Sequence, residues 1–312
     1  MTSTILCIGP TPAAQRVMLF PQFVTDAVNR AATTLDGAAG KSINVAKVLK
    51  ALGQEPLAAG FLGGDRGAWV REALLKLGVE IDFVTVPERT RQCITIIDQS
   101  CGKVTELVEE SRAVSSSYYE ALYGRIAARS KDCAALVMSG TLTPGGPVDF
   151  YARCTRLAHQ TGALSIVDAK GAPLLESLKA QPGLVKPNRA ELVATFGQPL
   201  ENEEALIAAM RRILQLGARR VVVTAGKEPA LALDGHEVWR IHSPTVAAVN
   251  PIGSGDAFTA GLAWRLVQGQ QLSQACSWAA ALGAANALSA MPGDIEPAAV
   301  DRLAAEVKVE RI

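Results

Sequence analysis

The chain is poor in the features that mark several protein classes. Its six cysteines, Cys7, Cys93, Cys101, Cys133, Cys154 and Cys276, are scattered with no CxxC pair. That spacing excludes a zinc-ribbon pattern and a disulfide framework, and it fits a reducing cytoplasm. There are three histidines. His159 ends a helical run, while His236 and His242 flank a surface hairpin, so no nucleophilic triad is expected. Net charge is almost absent, at +1 from 31 basic and 30 acidic residues. No global field draws in nucleic acid or anionic lipid, and any anion must be held by local geometry. The opening MTSTILCIG has neither a basic lead nor a long apolar run, and no later stretch approaches the roughly 18 apolar residues of a membrane span. Secretion and membrane insertion are not expected. Internal repeats, low-complexity linkers and a GxGxxG after the first strand are also missing, and the last of these argues against a dinucleotide-binding dehydrogenase.

What is present is the pattern of one large α/β core. Of 312 residues, 49% are hydrophobic and 20% charged, an ordinary globular balance. Apolar runs at Ile5–Ile8, Leu57–Leu62, Ala134–Met138, Leu164–Val167 and Val221–Thr224 read as strands buried on both faces. Between them lie helical periods that end at a glycine: Asn44 to Gly53, Trp69 to Gly78, Tyr151 to Gly162 and Ala205 to Gly217. Such alternation predicts βαβ units and a parallel sheet. Residues 13–36 and 91–108 break the pattern, the second as a hairpin around Asp98-Gln99-Ser100-Cys101-Gly102. Together they predict a small extra sheet, a candidate lid.

Four segments carry candidate chemistry. In Asn250-Pro251-Ile252-Gly253-Ser254-Gly255-Asp256, the glycines leave backbone N–H groups bare at a helix N-terminus, which suits an anion. Asp256 beside it is either a general base facing an attacking hydroxyl or an early-turn acid favoured by the helix dipole. In Lys186-Pro187-Asn188-Arg189-Ala190-Glu191, Asn188 and Glu191 have capping-box spacing; the functional alternative sets them near a magnesium ion and its waters. The cluster Gly37-Ala38-Ala39-Gly40-Lys41-Ser42-Ile43-Asn44 is not a phosphate loop of the GxxxxGK type, because Leu35 stands where glycine is required. It reads as a close approach to a small polar ligand, with Ser42 or Asn44 also capping the next helix. Arg91 starts the suspected lid hairpin, where its guanidinium can reach a phosphate or simply be solvated.

Together these motifs resemble the PfkB carbohydrate kinases of the ribokinase-like superfamily, over essentially the whole chain. The residues that carry the resemblance also include Leu62-Gly63-Gly64-Asp65, Ser139-Gly140-Thr141-Leu142-Thr143-Pro144-Gly145, Val167-Asp168-Ala169-Lys170-Gly171 and Val223-Thr224-Ala225-Gly226. Lys41, Thr90-Arg91 and Lys186-Pro187-Asn188 are most similar to the 1-phosphofructokinase and tagatose-6-phosphate kinase branch. The resemblance implies a three-layer α/β/α sandwich with a mostly parallel central sheet and a small β-sheet lid. It implies ATP-dependent phosphorylation of a phosphosugar of the fructose 1-phosphate, fructose 6-phosphate or tagatose 6-phosphate type. By the same resemblance, Asp256 is the base, and the N–H groups of Gly253, Ser254 and Gly255 stabilise the transferring group. Gln15, Gly40, Lys41, Asn44, Arg91 and Gly140 would contact substrate, with Lys41 and Arg91 on its existing phosphate. Lys186, Asn188, Glu191, Thr224, Gly226 and Asn286 would hold ATP, with Asn286 by the adenine. Glu191 would act on Mg2+ indirectly, Asn250 would sit by a monovalent cation such as K+, and the lid would pair two subunits.

Two departures from that branch bear on the sugar. Gln15 stands where the branch has an aspartate that binds sugar hydroxyls, and Ser42 replaces a glycine, adding side-chain atoms where backbone approaches ligand. A kinase for an unphosphorylated sugar or nucleoside, and a non-catalytic sugar or nucleotide sensor on the same fold, are the readings these departures keep open.

Overall fold

A computed structural model describes residues 4–312. Ten strands form one sheet in the spatial order Lys308–Arg311, Glu237–His242, Glu228–Asp234, Arg220–Ala225, Leu184–Val185, Leu164–Asp168, Cys133–Ser139, Thr4–Ile8, Pro56–Ala59 and Glu80–Ile81. From Arg220–Ala225 to Glu80–Ile81 the pairing is parallel; the other three strands add on as an antiparallel edge. Alternation along each parallel strand feeds two cores. Ile5 and Cys7 pack with the helices Lys41–Ala51, Ser254–Val267 and Leu272–Ala287 on one face, and Leu6 and Ile8 with Ser116–Arg129 and Phe150–Thr161 on the other. Both faces are therefore covered, as an all-apolar strand requires. The expected three-layer sandwich is present.

The helices Ser254–Val267 and Leu272–Ala287 meet through small residues: a Cβ on Gly261 would lie 2.6 Å from the Cα of Ala279. This close contact fixes the position of the helix whose N-terminus faces the site. Two expectations are corrected. The run Leu57–Leu62 splits at Gly60 into Pro56–Ala59 and Phe61–Leu62, the latter paired with Val84–Thr85. The break has a steric cause, since a Cβ at Gly60 would meet the carbonyl oxygen of Gly9 at 2.1 Å. Neither Ser42 nor Asn44 caps a helix, because the helix Lys41–Ala51 starts earlier, with Gly40 at its N-cap. Gly40 has φ 113, a left-handed conformation that glycine alone adopts without strain.

A second sheet of four strands, ordered Thr33–Ala39, Ala13–Phe20, Arg91–Asp98 and Lys103–Val108, stands apart from the main one. It occupies the segments 13–36 and 91–108 read as a lid, running on to Ala39. Register places Ala13, Gln15, Arg91, Cys93, Glu106 and Val108 on one face, and that face lines the cleft at the C-terminal ends of the parallel strands. Among the described residues no helix is long and apolar enough to cross a membrane.

Candidate active site

A cleft of about 310 Å3 lies between the lid sheet and the loops that follow the parallel strands. Open α/β sheets bind ligands at this end, where helix N-termini and strand C-termini converge. Its floor is the N-terminus of the helix Ser254–Val267, with Gly253 as N-cap at φ 89. The N–H of Ser254 is spent on the carbonyl of Pro251 (3.2 Å) and that of Asp256 on Gly253 (3.0 Å). Among the described residues the N–H groups of Gly253 and Gly255 have no acceptor, and both residues line the cleft. Two of the three expected donors are thus free. Ser254 is not one of them: its backbone closes the turn and its hydroxyl faces Asn286 at 3.3 Å.

Asp256 is 7% exposed, and Asn44 Nδ2 donates to its Oδ2 at 2.7 Å. Burial raises the pKa of this carboxyl to about 7, with Asp168 pushing the same way and Lys41, the Asn44 hydrogen bond and Lys186 restraining it. A carboxylate tuned to neutral pH is suited to taking a proton in catalysis. Asp168, at the C-terminal end of its strand, is 1% exposed and receives Lys41 Nζ (2.9 Å), Lys186 Nζ (3.1 Å) and the Thr259 hydroxyl (2.8 Å). Burial opposes its charge, but Lys186 and Lys41 outweigh burial and hold the group well below the usual carboxylate range. Two neighbouring buried acids are therefore driven apart, one to stay ionised and one to exchange a proton near neutrality.

Lys41 also reaches Glu191 Oε1 at 2.8 Å, so its ammonium bridges two carboxylates and is not free for an anion, contrary to the expectation that it simply awaits a phosphate. Burial works against its charge, yet Asp168, Glu191 and Asp256 together raise its pKa. Asn188 and Glu191 form the predicted capping box: Asn188 Oδ1 accepts from the Glu191 N–H and Glu191 Oε2 from the Asn188 N–H. Capping does not remove them from the cleft, which both line. An isolated parallel bridge joins Asn188 to Thr224, and a second cleft of about 530 Å3 continues from there past Ala225 and Gly226. Gly140, at φ 101, lies beside Lys41 and lines a third, adjoining cleft of about 430 Å3.

On the lid side, the guanidinium of Arg91 donates to the Thr11 carbonyl at 3.1 Å, while its buried Nε has no partner among the described residues. Gln15, 3% exposed, gives its amide hydrogens to Thr95 Oγ1 (2.9 Å) and the Arg16 carbonyl (3.4 Å). Its carbonyl oxygen remains for the cleft.

Two expectations change. Ser42 does not intrude on ligand: it is 3% exposed, packs against Gly9 and is absent from the cleft lining. Asn286 does not face a nucleotide, because it is 0% exposed and its amide holds Ile252 O (2.9 Å) while its oxygen takes the Gly293 N–H (2.8 Å). It fastens the anion loop to the next loop. Asn250 is likewise 0% exposed, donating to Ala290 O (2.7 Å) and accepting from Ile252 N–H (3.0 Å). Its side chain clips the loop. Sequence reading missed Asp168 as a site residue, although a lone acid closing the run Leu164-Ser165-Ile166-Val167 at a parallel strand's C-terminus was the available signal.

A parallel α/β sandwich with a small separate sheet, and between them a cleft that holds a buried carboxylate and two unpaired N–H groups at a helix N-terminus, has the architecture of the ribokinase-like fold. Residues 3–299 match the model of the pfkB family carbohydrate kinases, and the chain belongs to that family. It is 31% identical to the tagatose-6-phosphate kinase of Staphylococcus epidermidis, over 98% of this chain and 99% of that one. Among solved structures it superposes on phosphofructokinase-2 of Escherichia coli in complex with fructose-6-phosphate, with a TM-score of 0.87 at 24% identity and coverage of 98% and 99%. The ribokinase of Arabidopsis thaliana, complexed with ribose and ATP, gives a TM-score of 0.76 at 19% identity, with coverage of 97% and 99%. The protein is a carbohydrate kinase.

Proposed function

We propose that the chain transfers the γ-phosphate of ATP to a hydroxyl of a ketohexose phosphate. The observation that carries this reading is that one cleft joins a base, two unspent N–H groups and Arg91, an arginine on the opposite wall. Asp256 takes the acceptor proton, at a pKa near 7 that lets it do so at neutral pH. The Gly253 and Gly255 N–H groups, with the Lys186 ammonium beside Gly255, stabilise charge on the transferring group. Arg91 holds the phosphate already on the sugar. Lys41 holds Asp168 and Glu191 together beside the transferring group.

ATP lies along Asn188, Thr224 and Gly226. Magnesium would supply neutralisation of the nucleotide's phosphate charge. The hard oxygens of Asp168 and Glu191, brought together on one ammonium, fit such an ion held through water. Among the described residues no three His, Cys, Asp or Glu side chains form a closed cage for a metal. The phosphofructokinase-2 of Escherichia coli has a potassium complex; here Asn250 already joins the two loops, so turnover is expected without K+. The exposed apolar Leu107, on the lid face opposite the one that lines the cleft, supports pairing of two copies through the lid.

Coupled ADP release against fructose 1-phosphate, fructose 6-phosphate, tagatose 6-phosphate, fructose and ribose tests the reading. Turnover confined to sugar phosphates and lost in Arg91→Ala is expected. Equal turnover of a free sugar that survives Arg91→Ala would sink it.

A further inference from the structure

Four carboxylates line the main cleft, and three are already occupied. Asp168 takes two ammonium groups and a hydroxyl, Glu191 takes Lys41 and a backbone N–H, and Asp256 takes Asn44. The fourth, Glu106, has no hydrogen bond or ion pair among the described residues, although it lines the cleft. It comes from the lid strand Lys103–Val108, directly opposite Thr95, the residue whose hydroxyl fixes the Gln15 amide. Gln15 and Glu106 thus project from the same face of the lid, on either side of the strand Arg91–Asp98, with Cys93 between them and Arg91 further along that face.

The chemistry of this wall is uneven. Arg91 offers donors for an anion, but a polyol also needs a strong acceptor for its hydroxyl hydrogens, and a charged acceptor makes the strongest such bond. Gln15 is neutral, and its two N–H groups are committed inside the lid. Among the described residues Glu106 is the only carboxylate that the lid presents to the cleft. Glu106 is itself exposed at the rim of the cleft, and partial desolvation there raises its pKa against the pull of Arg91. We infer that Glu106 is the specificity-determining acceptor for the sugar hydroxyls, binding the polyol while Arg91 binds its phosphate. This rests on the phosphosugar reading and assigns to the lid strand the sugar recognition that a neutral residue 15 does not supply.

The alternative is that Glu106 only keeps an edge strand soluble, a common use of charge at such edges. Glu106→Gln separates the two, because it keeps the shape and removes the charge. Steady-state kinetics of wild type, Glu106→Gln and Glu106→Asp with fructose 6-phosphate, tagatose 6-phosphate and fructose 1-phosphate should show the sugar-phosphate KM rising about tenfold to a hundredfold in Glu106→Gln. The KM for ATP should stay within about twofold, the preference among the three sugars should change, and Glu106→Asp should recover part of the loss. An active wild type whose Glu106→Gln variant keeps the same sugar KM and the same preference overturns this inference alone. A wild type that turns over only unphosphorylated sugars overturns the phosphosugar reading, and this inference with it.

Discussion

Asp256 shows how a residue's environment sets its chemistry. Outside the fold it is an ordinary acid, and burial lifts it to about 7. Two consequences carry opposite signs. The logarithm of kcat/KM should rise with pH and level off near pH 7, since the base must be ionised to accept a proton. The folded state, by contrast, binds a proton more tightly than the unfolded one, so Asp256 favours folding at low pH and opposes it once pH exceeds the unfolded value of 3.8 and approaches 7. Asp256→Asn should therefore be more stable than wild type at pH 8, with the gain shrinking toward pH 4. Thermal melts at the two pH values check this; an equal difference at both would remove burial as the source of the shift.

The same scale shows where sequence reading stopped. Asp256, Asn188 and Glu191 were legible because glycines and caps mark helix starts. Asn286 and Asn250 were assigned to ligands through the family resemblance. Only coordinates reveal that both have their polar atoms engaged within the chain. For Asn250 the expected result is activity unchanged when K+ is replaced by tetramethylammonium; a requirement for K+ would show that the clip opens.

At the scale of elements, the loop 250–254 and the helix after it act as one part. Gly253 combines φ 89 with a Cβ position 3.0 Å from Asn286 Oδ1. Gly253→Ala should cost about 1–3 kcal/mol of stability and displace a transition-state donor. Urea melts and kcat read the two effects, and a loss in stability with kcat intact would separate the loop's shape from its chemistry. Further along the helix, Gly261→Val should destabilise by about 1–3 kcal/mol through overpacking against Ala279. Because Gly261 lies in the buried interface behind the helix N-terminus, the residual folded enzyme should keep its KM for ATP. Strand and helix identities were readable from apolar runs and terminal glycines. The break at Gly60 and the helix start at Lys41 were not, because each depends on a neighbour distant in sequence, Gly9 in one case and Pro12 in the other.

The whole molecule places the chemistry between two sheets made from different parts of the chain. The main sheet delivers Asp168, Lys186 and Thr224 at the ends of parallel strands or just beyond them, and the lid delivers Gln15, Arg91 and Glu106. Alternating strands and helices made the first sheet legible. The lid was legible mainly as an interruption of that alternation, and its inward face followed only from register. The measurement that tests the central claim most directly is phosphoryl transfer from Mg-ATP to the preferred sugar phosphate by wild type and by Asp256→Asn. Loss of the base should lower kcat by about a hundredfold or more with ATP binding retained. A variant that keeps kcat within a few-fold of wild type would show that Asp256 is only a buried helix acid and would overturn this account of the site.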